Sequence, residues 1–166
     1  MGYRTVRHVP LCKSYARAKQ IHDSITPIRG NPNNVRPLGA RRDWSEYSVR
    51  MRDDVVEVGC YKTPVVAYYP NGEIHLCTDG WATVSTHQFF WQVLGIRASG
   101  SRGKSVLHLK DSKFILGADE WLVVTVDEHG VIHPQTEQTL YGYRVNRKAA
   151  NNVRAKYKKF YEYAKG

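Results

Sequence analysis

His75 and Cys77 stand two residues apart in a stretch that alternates like a strand, so both would share one face of it. Cys60, in a neighbouring stretch of the same pattern, is the third residue able to join them. A zinc site needs three or four such ligands, and neither C-x-x-C nor H-E-x-x-H spacing occurs in the chain. A free cysteine is most often a core residue, so the expectation here is a buried thiol beside a half-exposed histidine, with no metal. The same thiols acting as nucleophiles, with His75 or His133 as base, would need surroundings that favour a thiolate. The nearest acids in sequence, Glu57, Glu73 and Asp79, oppose one. The carboxylate pairs Asp53-Asp54, Asp119-Glu120 and Asp127-Glu128 point to opposite faces of a strand or sit solvated in turns. "GSRGKS" at 100–105 lacks the gap between glycines of a P-loop, although Gly103, Lys104 and Ser105 could still hold a phosphate through backbone N–H groups. The residues thus predict no catalytic group, no metal site and no cofactor.

Charge points to phosphate contacts instead. Of 166 residues with a net charge of +10, residues 1–52 carry eleven Lys and Arg against three acids, 53–143 carry six against eleven, and 144–166 carry eight against one. A mildly acidic middle between basic ends suits contact with a polyanion through the end segments, whereas charge kept for solubility is ordinarily mixed in sign. Lys and Arg neutralise phosphates, and neighbouring rings stack on exposed bases. The expected nucleic-acid contacts are therefore Arg41, Arg42 and Trp44 in "ARRDWSEY", Arg102 and Lys104 in the glycine-rich stretch, and Arg147, Lys148, Arg154, Lys156, Lys158 and Lys159 near the C-terminus.

The elements that would carry these residues follow from periodicity. Tyr15, Ala18, Ile21, His22 and Ile25 recur at helical spacing, with Ser14 as cap and Pro27 as stop. "PIRGNPNNVRPLGARRD" is rich in Pro, Gly and Asn and reads as a loop or arm bearing Arg29, Arg36, Arg41 and Arg42. Tyr47, Val49 and Met51, then Val56, Val58 and Cys60, alternate as one or two strands. Asn71-Gly72 marks a hairpin. As the two central residues of a type I′ turn they would set Tyr69 against Ile74 and Tyr68 against His75. Val65, Ala67, Tyr69, Ile74 and Leu76 would then share one face, and Val66, Tyr68, His75 and Cys77 the other. "STHQFFWQVLG" predicts a short helix capped by Ser85 or Thr86 and stopped by Gly95. "IRASGSRGKS" reads as a loop, "VLHLKDSKFIL" as two strands joined at Asp111 and Ser112, and "EWLVVTVDEHGVIHP" as a further hairpin. The last segment sets Val145, Ala149, Val153, Tyr157, Phe160 and Ala164 on one helical stripe opposite a basic face. Val65-Val66, Gly72, Ile74 and His75 are echoed 58 residues later by Val123-Val124, Gly130, Ile132 and His133, a pattern that fits either an internal duplication or chance recurrence.

The fold class expected is α+β: an antiparallel sheet of about five to seven strands with an N-terminal helix, a short internal helix and a basic C-terminal helix. One domain is expected, with a basic helix and arm over 1–45, the sheet core over 46–143 and the basic helix over 144–166. Three cysteines, no apolar run of membrane length and no apolar leader predict a soluble intracellular protein with reduced thiols and no membrane partner.

"RPLGARR" followed by "TPVVAYYPNGEIHLCTDGWATVSTH" resembles a pattern found in a family of small, uncharacterised bacteriophage-encoded proteins. The matching positions are Leu38, Gly39, Arg41 and Arg42, then Thr63, Val65, Val66, Tyr68, Asn71, Gly72, Ile74, Leu76, Gly80, Trp81, Thr83, Ser85 and Thr86, while Ala82 replaces a residue that is often basic. The resemblance spans a little over a third of the chain and implies a phage origin without implying an activity. With the charge map it yields the expectation of a phage-derived nucleic-acid-binding protein without intrinsic catalysis, in the host cytoplasm or the virion. The rivals are a protein-binding accessory factor that docks on an acidic partner, and a nucleic-acid-processing enzyme with His75, His133 and Asp79 gathered by the sheet.

Overall fold

The computed structural model describes residues 9–30, 35–39, 46–61, 63–110 and 112–135. All of them belong to one compact unit, residues 1–136. The expected basic C-terminal helix lies outside the described residues. In chain order the elements are α1 (Tyr15–Ser24), β1 (Arg36–Pro37), β2 (Tyr47–Arg52), β3 (Val55–Cys60), β4 (Thr63–Tyr68), β5 (Ile74–Leu76), α2 (Val84–Leu94), β6 (Arg97–Ser101), β7 (Lys104–His108), β8 (Lys113–Leu116), β9 (Leu122–Val126) and β10 (Ile132–Pro134).

Alternation builds the larger sheet. Its seven strands run antiparallel in the order β1-β2-β3-β4-β5-β9-β10, a meander interrupted between β5 and β9 by α2 and the separate three-stranded sheet β6-β7-β8. Two apolar rows cross five strands on its inner face. Val49, Val58, Val66, Leu76 and Leu122 form one, and Met51, Val56, Tyr68, Ile74 and Val124 the other. Phe89, Phe90, Val93 and Leu94 of α2 join these rows to Leu107, Phe114 and Leu116 of the smaller sheet in a single core. Each fully buried side chain of this kind contributes about 1.5–3 kcal/mol relative to exposure.

Both helices start where Ser and Thr can cap them. Ser14 accepts from the backbone N–H of Arg17, as its position predicts. The cap of α2 is Thr83, not Ser85 or Thr86: its hydroxyl accepts from Thr86 N, and Gly95 ends the helix at φ 69. At the other end of α1, Arg36 Nη1 donates to the carbonyls of His22 and Ile25 at 2.6 and 3.0 Å. One of the arm's arginines is thereby committed to closing a helix.

Two turns differ from expectation. Gly72 N bonds Tyr69 O and Tyr69 N bonds Glu73 O, so the first hairpin is a three-residue loop with Gly72 alone at positive φ. That is a type I turn followed by a glycine bulge, where two left-handed residues were expected. The pairing therefore moves by one residue: Tyr68 faces Ile74, Ala67 faces His75, and Val66 and Tyr68 turn to the core. The stretch expected as a loop at 96–105 is instead a hairpin. Arg102 and Gly103, at φ 51 and 76, form the two-residue turn between β6 and β7.

Candidate functional site

Between the two apolar rows, a third row faces out of the larger sheet: Arg50, Glu57, Ala67, His75 and Val123, paired in sequence across β2, β3, β4, β5 and β9. Arg50, Glu57, Ala67 and His75 of this row form the floor of an open groove of about 550 Å³, also lined by Arg52, Tyr69, Cys77, Asp79, Asp119 and Trp121. At one end, Arg50 Nε and Nη2 donate to Glu57 Oε2 at 3.0 and 2.7 Å. Arg52 Nε approaches Oε1 to 2.8 Å as an ion pair, off the hydrogen-bonding direction. Glu57 is only 4% exposed although it belongs to the outward row. One carboxylate is thus shared by two guanidinium groups, and their net charge stays positive.

Rings occupy the other end. Tyr69 lies with its centroid 4.1 Å from that of His75, and Trp121 meets the same imidazole edge-on at 6.4 Å while remaining 46% exposed. His75 Nε2 donates to Glu73 Oε2 at 3.0 Å, and this hydrogen bond, more than that from Asn71, holds the Glu73 carboxyl below its ordinary range. Asp79 follows β5 and Asp119 precedes β9, both across the sheet from the arginines of β2. The groove is therefore polarised, with guanidinium at β2 and carboxylate beside the loops that flank β5 and β9.

The thiols are poorly disposed to react. Burial, then the charges of Asp79 and Glu57, push the Cys77 thiol up to about 12, and burial followed by Glu46 does the same to Cys60. His75 and Cys77 line the groove while Cys60 lines a different cavity, so the three possible ligands do not converge. Among the described residues no group of three or more His, Cys, Asp or Glu could hold a metal ion. His75 and Asp79 share the groove, but His133 is bonded to Asp127 at 2.7 Å and does not line it. That hydrogen bond is the main reason the Asp127 carboxyl sits below its usual range.

Of the expected nucleic-acid contacts, Arg102 lies in the turn of the β6–β7 hairpin and Lys104 begins β7 beside it, Arg102 exposed and Lys104 half-buried. Arg41, Arg42, Trp44, Arg147, Lys148, Arg154, Lys156, Lys158 and Lys159 lie outside the described residues. The groove residues were not singled out from the sequence as a binding set. A signal was present in the Asp53-Asp54 turn. Arg52 pairs with Val55 around it, so Arg50 and Glu57, equally distant from the turn, must face each other.

Comparison of the chain with protein-family models, with curated proteins and with solved structures returned no match.

Proposed function

We propose that the chain is a phage-derived nucleic-acid-binding protein without a catalytic role, which holds a single strand in the groove on the outer face of its larger sheet. The observation that carries this reading is a groove laid along one row of side chains, with the guanidinium groups of Arg50 and Arg52 on its β2 side and the rings of Tyr69, His75 and Trp121 on its β5 side. Guanidinium groups suit the phosphate backbone, and the faces of Trp121 and Tyr69 suit unstacked bases; a sheet that presents rings and cations outward is a recurrent single-strand platform. Asp79 and Asp119, at the ring end, disfavour phosphate there and so give the strand an orientation. The basic segments 28–42 and 144–166 add sequence-independent attraction. A binding role fits the pairing of His75 with Glu73 and of Glu57 with Arg50, which leaves neither acid–base group unengaged.

The test is fluorescence anisotropy with labelled 12-nucleotide DNA and RNA, single- and double-stranded, across a salt series. Trp121→Ala should weaken single-strand binding by about 1–3 kcal/mol if a base stacks there. Arg52→Gln should lower the salt slope by about 0.7 log unit, the share of one neutralised phosphate. Both residues are well exposed, so both variants should melt close to the wild type. No binding of the wild type to any of the four probes at about 50 mM salt, where even non-specific complexes persist, overturns the reading and favours an acidic protein partner.

A further inference from the structure

A second cavity, of about 470 Å³, opens away from the groove and is lined by Cys60, Tyr61, Thr63, Val65, Trp81, Thr83, Ser85 and Thr86. Its size is that of a small-molecule site. Cys60, Val65 and Thr86 are buried and form its floor, whereas Trp81 and Tyr61 are 59% and 50% exposed. Core packing does not account for two large rings left in water on one cavity. Tyr61 is nonetheless held in place. Its ring lies 6.3 Å from that of Tyr47, which stacks at 6.0 Å on Phe89 of α2, so the wall rests on a chain of rings that runs into the core. Trp81 is launched by a tight turn, in which Asp79 and Gly80 both have positive φ and Trp81 N bonds Thr78 O.

The remaining lining is chemically uniform. Thr63 and Ser85 present hydroxyl groups, the hydroxyls of Thr83 and Thr86 bond each other at 3.2 Å within the cap of α2, and none of the described lining residues is charged. A phosphorylated or carboxylated ligand would find no cation among them. A nucleobase is read by fixed donor and acceptor patterns, while hydroxyls rotate and both donate and accept, which matches the hydroxyls of another polyol. Aromatic faces, electron-rich at the ring, suit the apolar C–H faces of a sugar ring. We infer that this cavity is a binding site for a neutral pyranose sugar, stacked on Trp81 and Tyr61 and hydrogen-bonded by the hydroxyls of Thr63 and Ser85. It is independent of the sheet-face groove, with which it shares no lining residue.

The experiment is saturation-transfer NMR on the whole chain with glucose, galactose, mannose, N-acetylglucosamine and their β-linked disaccharides, beside adenosine and uridine. Wild type, Trp81→Ala, Tyr61→Gly and, as a control, Trp91→Ala are compared. Tyr61→Gly removes a wall while relieving a left-handed backbone at φ 52, which offsets part of the lost contact with Tyr47, and a thermal melt of each variant confirms that it is folded. The expected result is saturable binding of at least one saccharide with a dissociation constant on the order of 1 mM, weakened at least tenfold in Trp81→Ala and Tyr61→Gly and unchanged in Trp91→Ala. The inference is overturned by the absence of saccharide binding up to about 50 mM, a concentration that would saturate such a site. Binding that survives loss of both rings, or a site that takes the nucleosides and refuses the sugars, overturns it equally.

Discussion

His87 Nε2 and Ser105 Oγ lie 2.6 Å apart, a buried hydrogen bond that joins α2 to the middle strand of the three-stranded sheet. His87 is 9% exposed and Ser105 is fully enclosed. Burial disfavours the imidazolium and holds the pKa of His87 below its ordinary value. The unfolded chain therefore binds a proton that the folded chain refuses. Stability from this site is complete above the ordinary histidine value and is lost as pH falls below it, by at most about 1.4 kcal/mol per pH unit. Urea unfolding at pH 7.5 and at pH 5 should show this loss in the wild type and a smaller one in His87→Gln, which keeps a partner for Ser105. Equal pH dependence in both would mean that His87 ionises freely in the folded state.

Glu57 couples stability to the proposed binding. Glu57→Ala removes the acceptor of both Arg50 bonds from a buried position, while the guanidinium groups, with side chains 34% and 68% exposed, can turn to water. The expected cost is about 1–3 kcal/mol, below that of a pair buried on both sides. The same change releases two cations in the groove, so nucleic-acid affinity should rise while the melting temperature falls. Anisotropy and thermal melting on one preparation check both signs, and affinity that falls with stability would place the nucleic acid elsewhere.

The cysteines should be silent in the folded protein. Cys12, Cys60 and Cys77 are all buried, and for each thiol burial is the main cause of a raised pKa, which reaches about 12 for Cys60 and Cys77. The thiolate is the nucleophile, so at pH 8 roughly one molecule in 10⁴ would carry it at either of those two sites. Mass spectrometry after iodoacetamide at pH 8 should find little labelling in buffer and three labels in denaturant. Rapid labelling of Cys77 in buffer would show that the sheet-face groove opens down to its thiol.

Much of this arrangement was legible because strands alternate. Val49, Val56, Val58, Ile74 and Leu76 declare their buried face by spacing alone, and the antiparallel α+β class follows from hairpins set between helices. What failed was register. Asn71-Gly72 carries the signature of a two-residue turn, but the same pair also serves a three-residue loop in which only Gly72 is left-handed, and local sequence does not separate the two. The one-residue difference moved His75 from the face of Tyr68 to that of Ala67, where it meets Arg50 and Glu57 in a single row. The groove was hidden for the same reason: it joins residues from β2 to β9 that only a correct register brings together. "RASGS" looked like a loop because serine and glycine lack β propensity, yet Ser99 to Val106 and Gly100 to Ser105 pair through the backbone, which does not depend on those side chains.

Gly72 and Gly130 should tolerate substitution equally badly, because the two hairpins echoed in sequence are also equivalent in geometry. Val66, Ala67 and Tyr68 face Leu76, His75 and Ile74, as Val124, Thr125 and Val126 face Pro134, His133 and Ile132. Gly130 N bonds Asp127 O and Asp127 N bonds Val131 O, which repeats the bonds of Gly72 and Tyr69. Both glycines are left-handed, at φ 93 and 78, and a Cβ added to either would meet nothing within 4 Å. The cost of Gly72→Val or Gly130→Val is therefore backbone strain alone, about 1–3 kcal/mol in each case. Asn tolerates this conformation better, so Gly72→Asn and Gly130→Asn should lose less than half as much. Gly59→Ala is the contrasting case: it has an ordinary φ, but its Cβ would sit 3.0 Å from Thr63 O, beside the register shift where Val65 of β4 is the extra residue, so its cost is steric. Thermal melts of the five variants separate the two causes. Losses rescued by Asn at both turn glycines would mark strain, whereas Val and Asn costing the same would mean that the turns are held by something other than their left-handed glycines.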